Sequence, residues 1–337
     1  MTLEKRIQAF SKLGKQILQN KNLFETTGKN TWFVKEFVEF AIEQTAEILE
    51  EPNLRKWLSN YKISEVNEKP KQIAVILAGN IPLVGFHDFL CVLISGNIFI
   101  GKLSSKDDKF PEIIAKLLME LEPEFKNSIQ FVQTQLKDFD AVIATGSNNS
   151  SRYFEYYFSK YPHIFRKNRN SVAVLSGNET KEELELLADD LFIYFGLGCR
   201  NVSKIFVPQN YKLDSLFEAC SKYKHLINHN KYSNNYGYNR AIFLMNNITF
   251  WDNGFLLLTE NTSFSSAVSV VHFEYYPNLE YVRNEIEINS QKIQCLVSAN
   301  NLIPNSLPLG TSQKPGLSDF ADNIDTLQWL CEMSFAG

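Results

Sequence analysis

The sequence predicts an α/β fold, a doubly wound parallel sheet followed by a second α/β domain. Three observations carry this. Continuous apolar runs of strand length recur from residue 72 onward, as expected of strands covered by helices on both faces. Helix-length segments separate these runs, and strand–helix alternation implies parallel pairing. The 337 residues are 44% hydrophobic and 21% charged, an ordinary globular composition on a chain long enough for two domains.

Residues 1–65 read as helical. Ile7, Phe10, Leu13, Ile17 and Leu18 fall at helical spacing, and Phe33, Phe37, Phe40, Ala41 and Ile48 stripe a second helix over 32–49. Pro52 marks a further helix start, and the polar run 65–71 reads as a linker. Strands are expected at 72–78, 97–103, 128–134, 140–146 and 171–177, with helices at 83–95, 110–122 and 149–159 between them. A helix over 179–193, opened by Asn178, leads to the loop FGLGCRN and a strand at 203–208. Helices at 211–222 and 230–245, strands near 254–259 and 267–273, a helix at 277–286 and a last helix from about Ile324 complete the chain. The expected division is a helical region (1–65), a sheet domain (66–176), a second domain (177–310) and a tail (311–337) that packs back on the sheet domain.

Several function classes are disfavoured. Net charge is -4 with no concentrated basic patch, so no nucleic-acid partner is expected. No apolar run reaches the roughly 18 residues of a membrane span. The opening MTLEKRIQAFSKLGKQ lacks the apolar stretch of a signal peptide, which points to the cytoplasm. Five cysteines, with no CxxC and no zinc-ligand grouping, argue against a disulfide framework and against a metal. A hydrolase elbow, G-x-S-x-G, is absent.

The residues with chemical promise sit at strand ends and in one loop. Cys199 stands in FGLGCRNVSK, where Gly196 and Gly198 open space beside the sulfur and Arg200 and Lys204 would favour the thiolate. Its plain alternative is a buried thiol at a strand entry. Asn80, in AGNIPLVG after the first strand, presents an amide suited to an oxyanion, or else caps the following helix near Pro82. Thr145, Gly146 and Ser147 end a strand and open a helix, a place suited to phosphate. Lys102 ends the second strand within reach of a ribose or phosphate. His87, beside Asp88, is a candidate acid or a packed helix-face histidine. Tyr153, Phe154, Tyr156, Tyr157, Phe158, Phe192, Tyr194 and Phe195 are candidate apolar walls or core.

Taken in order, these pieces resemble the aldehyde dehydrogenase superfamily. AGNIPLVGFHD, GKLSSKD, ATGSNNSSRYFEYYF, FGLGCRNVSK and LSDFADNIDTLQWL resemble one branch more closely, the acyl-CoA reductase family that includes the fatty acid reductase of bacterial bioluminescence. The resemblance covers about residues 70–335. It implies an aldehyde-dehydrogenase-like fold in which 66–176 bind a nicotinamide cofactor and 177–310 carry the nucleophile. Cys199 would accept the acyl group, with Asn80 and the Cys199 N–H as oxyanion donors. Lys102 would hold the adenosine ribose, and Thr145, Gly146 and Ser147 would flank the cofactor phosphates.

Two departures refine what the resemblance implies. Aldehyde-oxidising members end the strand before the catalytic loop in Glu-Leu-Gly-Gly, whose glutamate activates water; here Leu175-Ser176-Gly177-Asn178 stands in that place. An acyl-enzyme would then outlive hydrolysis, which fits acyl-CoA as substrate and CoA as leaving group. The family lysine is often followed by Pro-Ser-Glu; here Lys102-Leu103-Ser104-Ser105-Lys106 has no carboxylate, and Ser104 and Ser105 offer hydroxyls. That favours NADPH, with NADH as the alternative. An acyl phosphate substrate and an inactive cofactor-binding scaffold are the rival readings, and a homo-oligomer stays open.

Overall fold

The N-terminal helices form because their apolar spacing matches a helix turn. In the computed structural model, which describes residues 1–25 and 30–335, Thr2 caps α1 (Leu3–Gln19) by accepting from Lys5 N at 3.3 Å. Ile7, Phe10, Leu13 and Ile17 are buried on its inner face. α2 (Lys35–Ile48) packs on α1, and α3 (Glu51–Leu58) starts with Pro52 in its first turn, where a missing N–H costs nothing. These helices belong to the same compact unit as the first sheet, residues 1–167 with 316–337.

That sheet is built from β1 (Gln72–Ile76), β2 (Ile98–Lys102), β3 (Ile129–Val132), β4 (Ala141–Thr145) and β5 (His163–Arg166), with α4 (Phe86–Ile94), α5 (Phe110–Leu121) and α6 (Asn148–Phe158) in the crossovers. All pairings are parallel and the order is β3-β2-β1-β4-β5. The chain moves outward from β1 through β2 to β3, then returns to β4 on the other side of β1. The topological switch point therefore lies between β1 and β4. The edge strand β5 is absent from the sequence reading, because four residues of which only Ile164 and Arg166 are buried give no apolar run.

The second unit, residues 168–315, carries β6 (Asn170–Val174), α7 (Lys181–Phe192), β7 (Val202–Pro208), α8 (Asp214–Cys220), α9 (Asn230–Met245), β8 (Trp251–Asp252), β9 (Leu257–Glu260), β10 (Val270–Tyr276), α10 (Leu279–Ile288) and β11 (Ile293–Ser298). Its six strands run β11-β6-β7-β10-β9-β8, parallel except for β8 against β9. Val172, Val174, Phe206, Tyr276, Val282 and Ile293 are among the residues that fill one core. The strand expected at 171–177 thus pairs in this second sheet, and the units divide at 167/168 rather than at 176/177. Local apolarity marks a strand but not the sheet it joins. Thr180, not Asn178, caps α7, through a reciprocal bond pair with Glu183. β11 has no counterpart in the sequence reading, since its burial is broken at Cys295 and Leu296.

Residues 316–337 cluster with the first unit and end in α11 (Thr326–Phe335). One buried ion pair ties them there. Arg166, at the end of β5, grips the Asp88 carboxylate of α4 with two nitrogens, one of them at 2.8 Å, and donates to Thr326 Oγ1 at 2.7 Å. Both charged side chains are almost wholly buried. Removing one member strands the other charge out of water. Arg166→Ala is expected to lower unfolding free energy by about 3–5 kcal/mol, and the pair replacement Asp88→Leu with Arg166→Met by clearly less, as read by urea denaturation. A loss under ~1 kcal/mol for Arg166→Ala would contradict this account of how the tail is held.

Candidate active site

The first unit's chemical residues converge because the strands are parallel and in register. Ile76 pairs with Lys102 on one side and with Ala144 on the other. The turns that follow β1, β2 and β4 therefore leave the sheet at one edge, around the switch point where open α/β sheets bind ligands. Asn80 lies in the first turn, partly buried, while α4 starts only at Phe86 with Gly85 as its N-cap. Asn80 is therefore not the cap of that helix. The neighbouring Gly79 is buried, its carbonyl accepts from Asn30 Nδ2 at 3.1 Å, and a Cβ there would stand 2.7 Å from Ser104 Oγ. Only glycine lets the turns after β1 and β2 approach so closely.

In the second turn Ser104 Oγ accepts from Lys106 N at 3.2 Å, and Ser105 and Lys106 are exposed. Asp107 turns inward. Its carboxylate accepts from Phe110 N at 3.1 Å at the start of α5. In the third turn Ser147 caps α6, accepting from Ser150 N at 3.3 Å. Gly146 packs against the first turns of α6, where a Cβ would meet Ser150 Cβ at 2.8 Å. The first N–H groups of a helix have no partner within it and suit an anionic ligand. Lys102, Ser104, Ser105, Thr145, Gly146 and Ser147 thus all lie along one edge of one sheet.

His87 does not join them. Its Nε2 lies 3.0 Å from the Leu317 carbonyl, its Nδ1 3.6 Å from Cys91 Sγ, and its ring packs beside Trp57 and Phe320. Burial pulls its pKa down, so it is a neutral group that helps hold the tail. Of the candidate aromatics, Tyr153, Tyr156 and Tyr157 are exposed on α6, whereas Phe192, Tyr194 and Phe195 are core.

In the second unit Cys199 stands at the end of a strained loop. α7 stops at Phe192, and Tyr194 (φ 59°), Phe195 (φ 57°) and Gly196 (φ 76°) are all left-handed. Two consecutive aromatic residues in that region cost on the order of 1–3 kcal/mol each. Asn201 holds the turn together. Its buried amide accepts from Gly198 N at 2.8 Å and donates to the Ile193 carbonyl at 2.7 Å. All five cysteines are described: Cys91, Cys220 and Cys331 are buried, Cys295 is intermediate and Cys199 is exposed.

Some neighbours differ from the sequence expectation. Lys204 does not serve Cys199. It is wholly buried, bonded to Glu274 at 2.5 Å and to the Thr262 carbonyl at 2.7 Å. The segment 175–178 has no acidic residue of its own, but Glu179 folds back onto it. That carboxylate accepts from Ser176 N at 2.5 Å, Ser176 Oγ at 2.8 Å and Gly177 N at 3.0 Å, so both oxygens are engaged in closing the strand end. Asn201 and Ser171, whose hydroxyl donates to the Cys199 carbonyl at 3.0 Å, are neighbours of the Cys199 loop that no local pattern announces. Among the described residues no group of three or more His, Cys, Asp or Glu side chains is placed to hold a metal, and no helix is long and apolar enough to cross a membrane.

Residues 4–222 match the family of acyl-CoA reductases (LuxC). The chain belongs to that family. Its fold is that of the aldehyde dehydrogenases. Aldehyde dehydrogenase 21 of Physcomitrella patens, solved with succinate, matches with TM-score 0.71 and 11% identity over 98% of this chain and 84% of that one. A benzaldehyde dehydrogenase of Corynebacterium glutamicum, described as NAD-dependent, matches with TM-score 0.67 and 13% identity over 88% and 76%. A Mycobacterium tuberculosis aldehyde dehydrogenase complexed with NAD+ matches with TM-score 0.65 and 11% identity over 93% and 76%. No curated protein matches the chain.

In this family member the turn after β2 carries a pH-sensitive group. Burial raises the Asp107 carboxyl from 3.8 to about 6, against the lowering effect of its backbone hydrogen bonds. A folded value above the unfolded one favours the protonated fold. The stabilisation is complete below about pH 4 and is lost as pH rises through about 6. Asp107→Asn mimics the neutral acid and keeps an acceptor for Phe110 N. Its stability relative to wild type should rise between pH 4 and pH 7 by on the order of 2 kcal/mol, measured by denaturant titration at the two pH values. An unchanged difference would show that Asp107 titrates as a free carboxyl.

Proposed function

We propose that this protein reduces an acyl-CoA thioester to an aldehyde with NADPH, by way of a thioester on Cys199. The observation that carries this is the exposure of Cys199, at the end of a strained glycine loop, in a member of the acyl-CoA reductase family. The Cys199 sulfur attacks the thioester carbon, and the CoA sulfur leaves. Asn80 and the Cys199 N–H are the donors this reading assigns to the oxyanion. Each such donor is typically worth about 3 kcal/mol. A bound nicotinamide cofactor supplies the hydride that turns the acyl group into an aldehyde. The start of α6, which follows Gly146 and is capped by Ser147, suits the phosphates of such a ligand. Thr145, Gly146 and Ser147 would take the diphosphate, and Lys102, Ser104 and Ser105 the adenosine ribose.

Glu179 is the nearest counterpart of the missing water-activating glutamate, and it is occupied by three donors. The acyl-enzyme is therefore expected to persist without reduced cofactor. Incubation with radiolabelled acyl-CoA should label wild type stably and leave Cys199→Ala unlabelled, with its thermal unfolding unchanged. Label retained in Cys199→Ala would move the nucleophile elsewhere, and rapid release of free acid from wild type would give another group the role of base.

The preference for NADPH rests on charge in the exposed 104–106 turn. Lys106 attracts a 2′-phosphate there, and Asp107 points its carboxylate into the start of α5. A single charge at short range near the surface is worth on the order of 1 kcal/mol or more. Lys106→Ala should lower kcat/KM for NADPH by about fivefold and for NADH much less, while Ser105→Glu should erode or reverse the preference. Equal wild-type kcat/KM for the two cofactors, or a higher value with NADH, would overturn this assignment.

A further inference from the structure

Cys295 is the second cysteine of the Cys199 neighbourhood, and the mechanism does not use it. It lies in β11, within the irregular stretch between Ile293 and Leu296 where the pairing with β6 shifts register. Such bulges re-aim side chains out of the regular ladder. One buried hydroxyl joins the two cysteines. Ser171 Oγ donates to the Cys199 carbonyl at 3.0 Å, lies 2.9 Å from Cys295 Sγ and accepts from Cys295 N at 3.2 Å. A serine hydroxyl has one proton and two lone pairs. With the proton given to Cys199 O, both lone pairs are left for the N–H and S–H of Cys295. The Cys295 sulfur and the Cys199 carbonyl oxygen thus share one hydrogen-bond partner, which makes the two cysteines close neighbours. Burial pushes the Cys295 thiol up to about 11, the nearby Arg200 charge opposes that shift and Cys199 adds to it. At rest, therefore, an exposed Cys199 stands beside a protonated, partly shielded thiol.

We propose that Cys199 and Cys295 form a reversible disulfide when the protein meets a hydroperoxide. The consequence for activity rests on the reading of Cys199 as nucleophile; the disulfide itself does not. In the first step the Cys199 thiolate attacks one peroxide oxygen. An S–O bond forms, the O–O bond breaks, the sulfur loses two electrons, and the other oxygen leaves with a proton as water or alcohol. In the second step Cys295 gives up its proton and its sulfur attacks the sulfenic sulfur of Cys199. An S–S bond forms, the S–O bond breaks, and hydroxide leaves with that proton as water. This stops Cys199 short of the irreversible sulfinic and sulfonic acids.

The test treats the reduced full-length chain with a small excess of hydrogen peroxide, digests it without reductant and maps linked peptides by mass spectrometry. Wild type should give a Cys199–Cys295 pair that dithiothreitol separates, while the buried Cys91, Cys220 and Cys331 stay reduced. In Cys295→Ala and Cys295→Ser, Cys199 should pass to sulfinic acid, and most of its thiol should not return with dithiothreitol. If wild type gives no such pair, or links Cys199 to a different cysteine, the proposal is wrong, whatever the variants do. A linked pair in a protein that takes no acyl label on Cys199 would refute the acyl-transfer reading and leave the disulfide standing; acyl labelling without a linked pair would do the reverse.

Discussion

Parallel strands cannot be joined by tight hairpins. Each pairing in the first sheet needs a crossover, and each crossover delivers the chain back to the same end of the sheet. This constraint organises the first unit. Because β1 pairs in register with both β2 and β4, the turns holding Asn80, Ser104 and Gly146 must emerge at one edge although they are far apart in sequence. The order β3-β2-β1-β4-β5 then sends the crossovers to opposite sides of β1, which makes this the switch point of the sheet. The glycine at 79 follows from it, since a Cβ there would run into Ser104 of the neighbouring turn, whereas Gly146 makes room for Ser150 and Phe154 of the helix that follows it.

The second unit uses its parallel sheet differently. The connection from α7 to β7 passes through left-handed Tyr194 and Phe195, a conformation that local preferences oppose. It persists because both rings are buried and because Asn201 ties the end of the loop to the end of α7. The carboxylate of Asp190, near the end of α7, accepts from Gly310 N at 2.6 Å and from Ser312 N at 2.9 Å, binding a further segment to that helix. Burial raises this carboxyl to about 6, against those same hydrogen bonds. The strained connection before Cys199 is thus held by two buried rings and by the side chains of Asn201 and Asp190.

Family membership and geometry bear on different parts of the reading. The match over residues 4–222 includes Asn80, the 102–106 turn, Thr145–Ser147 and Cys199, but ends well before β11. What surrounds Cys199 from that strand is a matter for the tertiary structure alone. The bulge that carries Cys295 beside Ser171 is one example. The buried Lys204–Glu274 pair, with Lys204 also over the rings of Phe206 and Phe264, likewise joins β7 to a strand, β10, that lies beyond the match.

The sequence by itself determined the elements that apolar periodicity and capping chemistry encode. Four strands of the first sheet, the crossover helices between them, the turn glycines and the glycine-flanked loop that holds Cys199 were all legible within a few neighbouring residues. Only the tertiary structure decided which sheet each strand joins, because pairing depends on partners distant in the chain. So 171–177 looked like a fifth strand of the first sheet and is instead flanked by β7 and β11 of the second. It also decided the fate of charged and polar side chains whose sequence setting is neutral. Lys204 reads as a helper of the thiolate and is a buried ion-pair partner; His87 reads as a candidate acid and is a packing residue; Glu179 and Asn201 read as nothing and hold the two ends of the connection between β6 and β7. The reason is physical: apolar periodicity is a property of a local segment, whereas burial, ion pairing and hydrogen-bond partners are properties of what the rest of the chain brings against it.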